Sequence, residues 1–194
     1  ILCMPIELQM EALQKWFELG STYESYLTSS GDRAIVWRNA SEQVQFSEEQ
    51  TTMLASFVRE MKVIVISGIG CGDCSVQCPM VAAIAAASSQ IDIRWLDKDD
   101  AIELSNSVQI NLGNRVPTVL FLAEDYALVS VFGDRTLSRY RALAKRKLGS
   151  TCDIPGLATE QEEFDATVQD WLNEFERVQL LLRLSTRLRQ KHGD

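Results

Sequence analysis

The 194-residue sequence is poor in several things, and each shortage excludes a class of function. It contains one histidine, His192, and one C-x-x-C pair, so the zinc sites built from two such pairs are excluded. No apolar run approaches the roughly 18–20 residues that a membrane helix needs. The longest, Met80–Ala87, is short and rich in alanine, and no membrane partner is expected. Positive charge is in deficit, with 19 Lys and Arg against 27 Asp and Glu and a net charge of −8. A chain of that balance is a poor match for phosphates, so no nucleic-acid partner is expected. The first ten residues have neither a basic n-region nor a full apolar stretch. No signal peptide is therefore expected, and the expected location is the cytoplasm. Internal repeats and low-complexity tracts are absent. The five cysteines are odd in number, and Cys71, Cys74 and Cys78 crowd together while Cys3 and Cys152 lie far off. That distribution is not a secreted disulfide framework; it places chemistry at one point of the chain.

With 46% apolar residues, the length suits one domain with extensions. Residues 1–60 read as a helical extension. Ile6, Met10, Leu13 and Phe17 are spaced as one helical face, Ser21 with Glu24 and Ser47 with Gln50 form capping boxes, and Ala34–Asn39 suits either a short helix or a strand. The pattern changes at Val63–Ile66, a β-branched run without alternation, as in a strand buried on both faces. From there to residue 149 the order reads β-α-β-α-β-β-α, with strands at Val63–Ile66, Ile91–Trp95, Val119–Leu122 and Leu128–Phe132. Helices are expected after Cys71, over Asp97–Ile110 and over Leu137–Leu148. The first two strands should be parallel and the last two a hairpin, giving a mixed α/β sheet. Residues 150–194 read as a linker, Cys152–Gly156, and one long helix capped at Thr159. Its apolar seam of Phe164, Val168, Trp171, Phe175, Val178 and Leu182 is expected to fold back onto the N-terminal helices, whose own face includes Leu13 and Phe17. Pairing with a second copy is the alternative, so a monomer is favoured over a dimer.

The motif Cys71-Gly72-Asp73-Cys74 stands where the first strand gives way to a helix. Two intervening residues allow a disulfide across the first helical turn. Backbone N–H groups and the positive end of the helix dipole favour a thiolate on the first sulfur. Cys71, outside the helix, is expected to be exposed and nucleophilic, and Cys74, inside it, to be the resolving thiol.

Val116-Pro117-Thr118, just before a strand, resembles the cis-proline segment of the thioredoxin superfamily, and cis bonds are essentially a proline property. Pro79 matches that family's helix proline, and Gly133 resembles a glycine lining its substrate groove. With the helical extension around Tyr23–Leu27, the sequence is similar to a small bacterial thioredoxin-like subgroup with a CGDC motif. The resemblance covers roughly residues 60–149. It implies a thioredoxin fold, thiol–disulfide oxidoreductase activity through Cys71 and Cys74, substrate binding at Val116, Pro117 and Gly133, and no bound cofactor. The implied partners are a protein or small-molecule disulfide and an upstream dithiol or reductase that donates electrons. Two family features are missing: the Trp before the first cysteine is Gly70, and the buried Asp of the preceding strand falls at Val65. Asp73 takes the place of the common proline, and a carboxylate there is expected to oppose the Cys71 thiolate and favour a reducing protein.

Competing readings apply to several residues. The alternative reading takes Cys71, Cys74 and Cys78 as three ligands of a metal site completed by Cys152 or His192, in a redox-silent interaction module. Cys78 reads as a small buried hydrophobe, with a modulating third thiol as its alternative. Asp97, Asp99, Asp100 and Glu103 lack calcium-loop spacing and read as a solvated helix start. Arg139, Arg141, Lys145, Arg146 and Lys147 read as a solvated basic face.

Overall fold

The computed structural model describes residues 5–148 and 160–194. Cys3, Cys152, the expected linker and the Thr159 cap lie outside the described residues. Four helices come first: α1 (Met10–Leu19), α2 (Tyr23–Thr28), α3 (Ala34–Gln43) and α4 (Glu48–Ala55). The strands β1 (Met61–Ser67), β2 (Ile91–Asp97), β3 (Thr118–Ala123) and β4 (Leu128–Gly133) form one sheet in the order β2-β1-β3-β4. β1 runs parallel to β2 and antiparallel to β3, and β3 is antiparallel to β4. Between and after them lie α5 (Gly72–Ala86), α6 (Ile102–Ser107) and α7 (Leu137–Leu148), then α8 (Glu160–Leu184) and α9 (Thr186–His192). This is the mixed α/β arrangement expected from the sequence. Among the described residues no helix is long and apolar enough to cross a membrane.

β1 explains the architecture. Side chains along a strand alternate between faces, and both faces of β1 are covered. Val63 and Val65 enter one core with Trp95, Phe121, Cys74 and Cys78. Ile64 and Ile66 enter a second core with Leu13, Phe17, Leu96, Leu104 and Leu120. The first core draws residues from α2–α5, α8 and α9, the second from α1 and α6. A continuous β-branched run is what a doubly covered strand requires.

This division overturns one expectation. The seam of α8 does fold back within the chain, but not onto Leu13 and Phe17, which sit on the other side of the sheet. Trp171 packs against Phe132 with ring centroids 5.1 Å apart, and Phe175 meets Phe121 edge-on at 5.0 Å. Gln179 ties the same helix to the end of the helical extension, accepting from the N–H of Arg59 (2.8 Å) and donating to its carbonyl (3.0 Å).

Local departures have local causes. Thr22 caps α2 in place of Ser21, accepting from the Ser25 N–H. Ser21 is engaged elsewhere: its backbone exchanges two 2.9 Å hydrogen bonds with Trp95, covering the free edge of β2. The expected Ser47–Gln50 capping box is present, and Ala34–Gln43 is a helix. Ile6 and Met10 are exposed, because Ile6–Leu8 forms a 3-10 turn and α1 starts only at Met10. The helix expected over Asp97–Ile110 shrinks to α6, since the Asp97 side chain accepts from the Asp99 N–H (3.0 Å) and holds a turn there. The long C-terminal helix breaks at Ser185, whose backbone is extended (ψ 115°). The break lets Leu182 and Leu188 reach the same core.

Trp171 is fully buried, so Trp171→Ala is expected to destabilise the protein by about 3–5 kcal/mol. Leu180→Ala, on the exposed face of the same helix, should stay within about 0.5 kcal/mol. Urea denaturation of the two variants checks the orientation of α8.

Candidate active site

Three segments build the site. The first is the turn from β1 into α5, where the Cys71 N–H donates to the Gly68 carbonyl (2.9 Å). Cys71 is the N-cap residue of α5 with an extended backbone (φ −84°, ψ 125°), and its own side chain caps nothing. The sulfur is half-buried, whereas Cys74 and Cys78, one and two turns into the helix, are fully buried. All three are free thiols. The exposed-then-buried order expected from the motif is thus present. Pro79 lies inside α5.

The second segment is the loop before β3. The Val116–Pro117 peptide bond is cis, and the Val116 carbonyl lies 3.8 Å from the Cys71 sulfur. The third is the end of β4. Gly133 pairs with Thr118, and a Cβ on it would stand 2.4 Å from the Pro117 carbonyl oxygen and 3.1 Å from the Thr118 Cα. Only glycine permits that approach, so Gly133 seats the proline loop. Val116, Pro117 and Gly133 are therefore brought together, with the Val116 carbonyl facing Cys71.

The charge state of the thiols departs from the expectation. Backbone N–H groups of Cys74 and Asp73 do point at the Cys71 sulfur and pull its pKa down. The hydrogen bond with the Cys74 sulfur, followed by burial, outweighs them, and the Cys71 thiol is pushed up from its ordinary value. For Cys74 the contact with Cys71 lowers the pKa, but the Cys78 sulfur and burial together raise it. Val65, at the position of the missing acid, is buried between Trp95 and Val119. Past Val65 on that face lies Ser67, and the Tyr26 hydroxyl and Asp97 carboxylate are 3.4 Å apart. Burial pushes the Tyr26 phenol well above its ordinary pKa.

Asp73 has partners that the motif did not reveal. Its carboxylate accepts from Arg135 (2.5 Å) and Arg139 (3.0 Å), and these two guanidinium groups hold its pKa below the usual carboxylate range against the opposing effect of burial. Arg139 continues to Glu163 of α8 (2.9 Å), which also binds Arg146 (2.9 Å). Arg139 and Arg146 are thus not part of a merely solvated basic face. The helix carrying the cysteines is tied through Asp73 to α7 and α8.

Two further residues escaped the sequence reading. Gln77, fully buried in α5, donates to the Asp134 carbonyl (2.9 Å) and accepts from the Thr136 N–H (3.3 Å), locking the loop after Gly133. Its place one turn past Asp73 on the same helix was the available signal. Trp37 of α3 donates its indole N–H to the Ile69 carbonyl (3.1 Å), bracing the turn before Cys71. Nothing local in the sequence links those two positions.

The fourth ligand offered for a metal site is far from the sulfurs. His192 lies 2.8 Å from Glu124, just past β3 residue Ala123, which pairs with Met61 at the start of β1. Cys71 follows the other end of β1, about 20 Å away at strand rise. Cys152 lies outside the described residues, and among the described residues no group of three His, Cys, Asp or Glu is placed to hold a metal ion.

A mixed sheet with a C-x-x-C at a helix start and a cis-proline beside it defines the thioredoxin-like class. A family model described as thioredoxin matches residues 20–145, and the chain belongs to the thioredoxin superfamily. A Pseudomonas aeruginosa protein of unknown function shares the fold, with a TM-score of 0.58 and 17% identity over 83% of this chain and 97% of its own. An HIV epitope scaffold does so at a TM-score of 0.54 and 19% identity, covering 86% of this chain and 92% of its own. No curated protein matches the sequence.

Asp73→Asn removes one carboxylate from two arginines, and at pH 7 it is expected to cost about 1 kcal/mol of stability after solvent screening. Because the folded pKa of Asp73 is depressed, its contribution is present above the unfolded carboxylate pKa and is lost as pH falls through the folded value. Wild type and variant should therefore converge in acid, which denaturation at neutral and acid pH will show. The unmasked guanidinium groups should also lower the Cys71 pKa by less than about one unit, read by thiolate ultraviolet absorbance.

Proposed function

We propose that the chain is a thiol–disulfide oxidoreductase that reduces protein or small-molecule disulfides through Cys71 and Cys74. The observation that supports this reading is the half-buried Cys71 sulfur at the start of α5, 3.8 Å from the Val116 carbonyl, with Cys74 buried one turn behind it.

The Cys71 thiolate attacks one sulfur of the substrate disulfide. The substrate S–S bond breaks, one substrate sulfur leaves as a thiolate and takes up a proton, and a mixed disulfide joins Cys71 to the other. Cys74 then loses its proton and attacks the Cys71 sulfur. The mixed disulfide breaks, and the second substrate sulfur leaves and takes up a proton. Two electrons pass to the substrate, which ends as two thiols, and the chain ends with a Cys71–Cys74 disulfide. An external dithiol donor returns the two electrons. With Val65 where an acid would deprotonate Cys74, the departing substrate thiolate, formed next to Cys74, is the available base. The chemistry needs no cofactor. The backbone of Val116 beside the attacking sulfur is suited to pair with an extended substrate segment, and Pro117 and Gly133 hold that backbone in place. Cys78, in contact with the Cys74 sulfur, raises the pKa of the resolving thiol and so modulates the second step.

Cys71→Ser is expected to abolish disulfide reduction, whereas Cys74→Ser should accumulate a mixed disulfide through Cys71. Non-reducing electrophoresis and mass spectrometry of the trapped adducts check this. Equal trapping by both variants would overturn the assigned roles.

A further inference from the structure

The side of Cys71 away from the proline loop is walled by the helical extension. A cleft of about 450 Å³ is lined by Cys71, Ile69, Gly70, Ser75, Val36 and Arg33. Arg33 and Ile69 also line a second cleft of about 650 Å³ that continues toward Trp16 and Leu19. The two meet at Arg33, so a groove leads from the reactive sulfur along the extension. Volumes of this size accommodate a few residues of chain. The groove has apolar walls: Val36 is 57% exposed beside Cys71.

Its charges are specific in place. Arg33 lies with a guanidinium nitrogen 3.7 Å from the position a Cβ on Gly70 would occupy, one residue from Cys71. It has no hydrogen-bond or ion-pair partner among the described residues. The Lys98 stem packs 3.3 Å from the corresponding position on Gly68, and its ammonium group is paired with the exposed Asp99. Asp97 and Asp100 line the second cleft, and Asp97 already accepts from Tyr26 and from the Asp99 backbone. Arg33 is therefore the one charged side chain lining the cleft that contains Cys71, while the carboxylates of Asp97 and Asp100 belong to the second cleft. An unpaired guanidinium next to a reactive centre recognises a carboxylate well, because it presents a planar fork of donors.

We infer that the preferred substrate is a protein disulfide whose cysteine is flanked by acidic side chains, received by Arg33 in the groove between Cys71 and the helical extension. Arg33 is a specificity residue in this scheme and takes no part in electron transfer. The inference rests on the oxidoreductase reading above and adds the class of partner to it.

The test uses the full reduced chain and two peptide disulfides that differ only in the residues beside the half-cystine, Asp and Glu in one and Lys in the other. At about 0.15 M salt the Debye length is about 8 Å, so the distant negative charge is screened and contacts at the groove decide the rates. The acidic peptide should react roughly fivefold faster, the scale of one exposed charge pair. Arg33→Gln should erase most of that ratio and Arg33→Lys should keep part of it. The ratio is the readout because a general change in thiol reactivity moves both rates together. Equal rates in the wild type, a preference for the lysine peptide, or an unchanged ratio in Arg33→Gln would overturn the inference. Dithiodipyridine, which is neutral and has no flanking residues, separates the two proposals. If the wild-type chain fails to reduce it, the oxidoreductase reading falls. If the chain reduces it but shows no acidic preference, only the specificity falls.

Discussion

Burial of β1 on both faces is the constraint on which the rest of the structure depends. A strand whose central side chains are apolar on both faces, as Val63–Ile66 are, must be covered twice, and the cover comes from distant parts of the chain. α1 and α6 close one face, while α2–α5, α8 and α9 close the other. The same strand ends at Ser67, so its last residues deliver the chain to the start of α5 at a level set by the sheet. The position of Cys71 is thus inherited from a strand buried on both faces. The Cys71 sulfur held in this way is half-buried, and the groups behind it belong to the core.

The regions flanking the thioredoxin-like unit bear directly on the site. Trp37 braces the Ile69 carbonyl, and Ser21 closes the edge of β2. Tyr23 stacks on Trp95 with centroids 5.0 Å apart, joining α2 to the same strand. From the other side, the chain of charges from Asp73 through Arg139 to Glu163 binds the first turn of α5 to α8. These side chains are only 11–18% exposed, and together with Gln77 they orient the helix start and the loop that follows Gly133. The cysteine pair is therefore positioned from both ends of the chain.

Much of the fold was legible because its signals are local. The β-branched run of β1, the alternation of β2, the hairpin of β3 and β4 and the Ser47–Gln50 capping box all depend on neighbours in sequence. The C-x-x-C at a strand–helix junction and the Val-Pro-Thr before β3 marked the site in the same way. What escaped detection depends on contacts across many residues. Ser21 reads as a cap by itself, but its backbone pairs with Trp95 and passes the cap to Thr22. Asp73 reads as a free carboxylate, but two arginines more than sixty residues away hold it.

The sequence by itself determined the order of elements, the location of the dithiol and the family to which the chain belongs, because each is written in short-range periodicity and in residues a few positions apart. Only the tertiary structure decided which face of the sheet α8 covers, what Asp73 binds and how the thiols titrate. Those outcomes follow from burial and from charges brought together by folding. Cys71 shows both kinds of influence: the Cys74 sulfur three residues on raises its pKa against the local pull of the helix start, and the burial that folding adds raises it further.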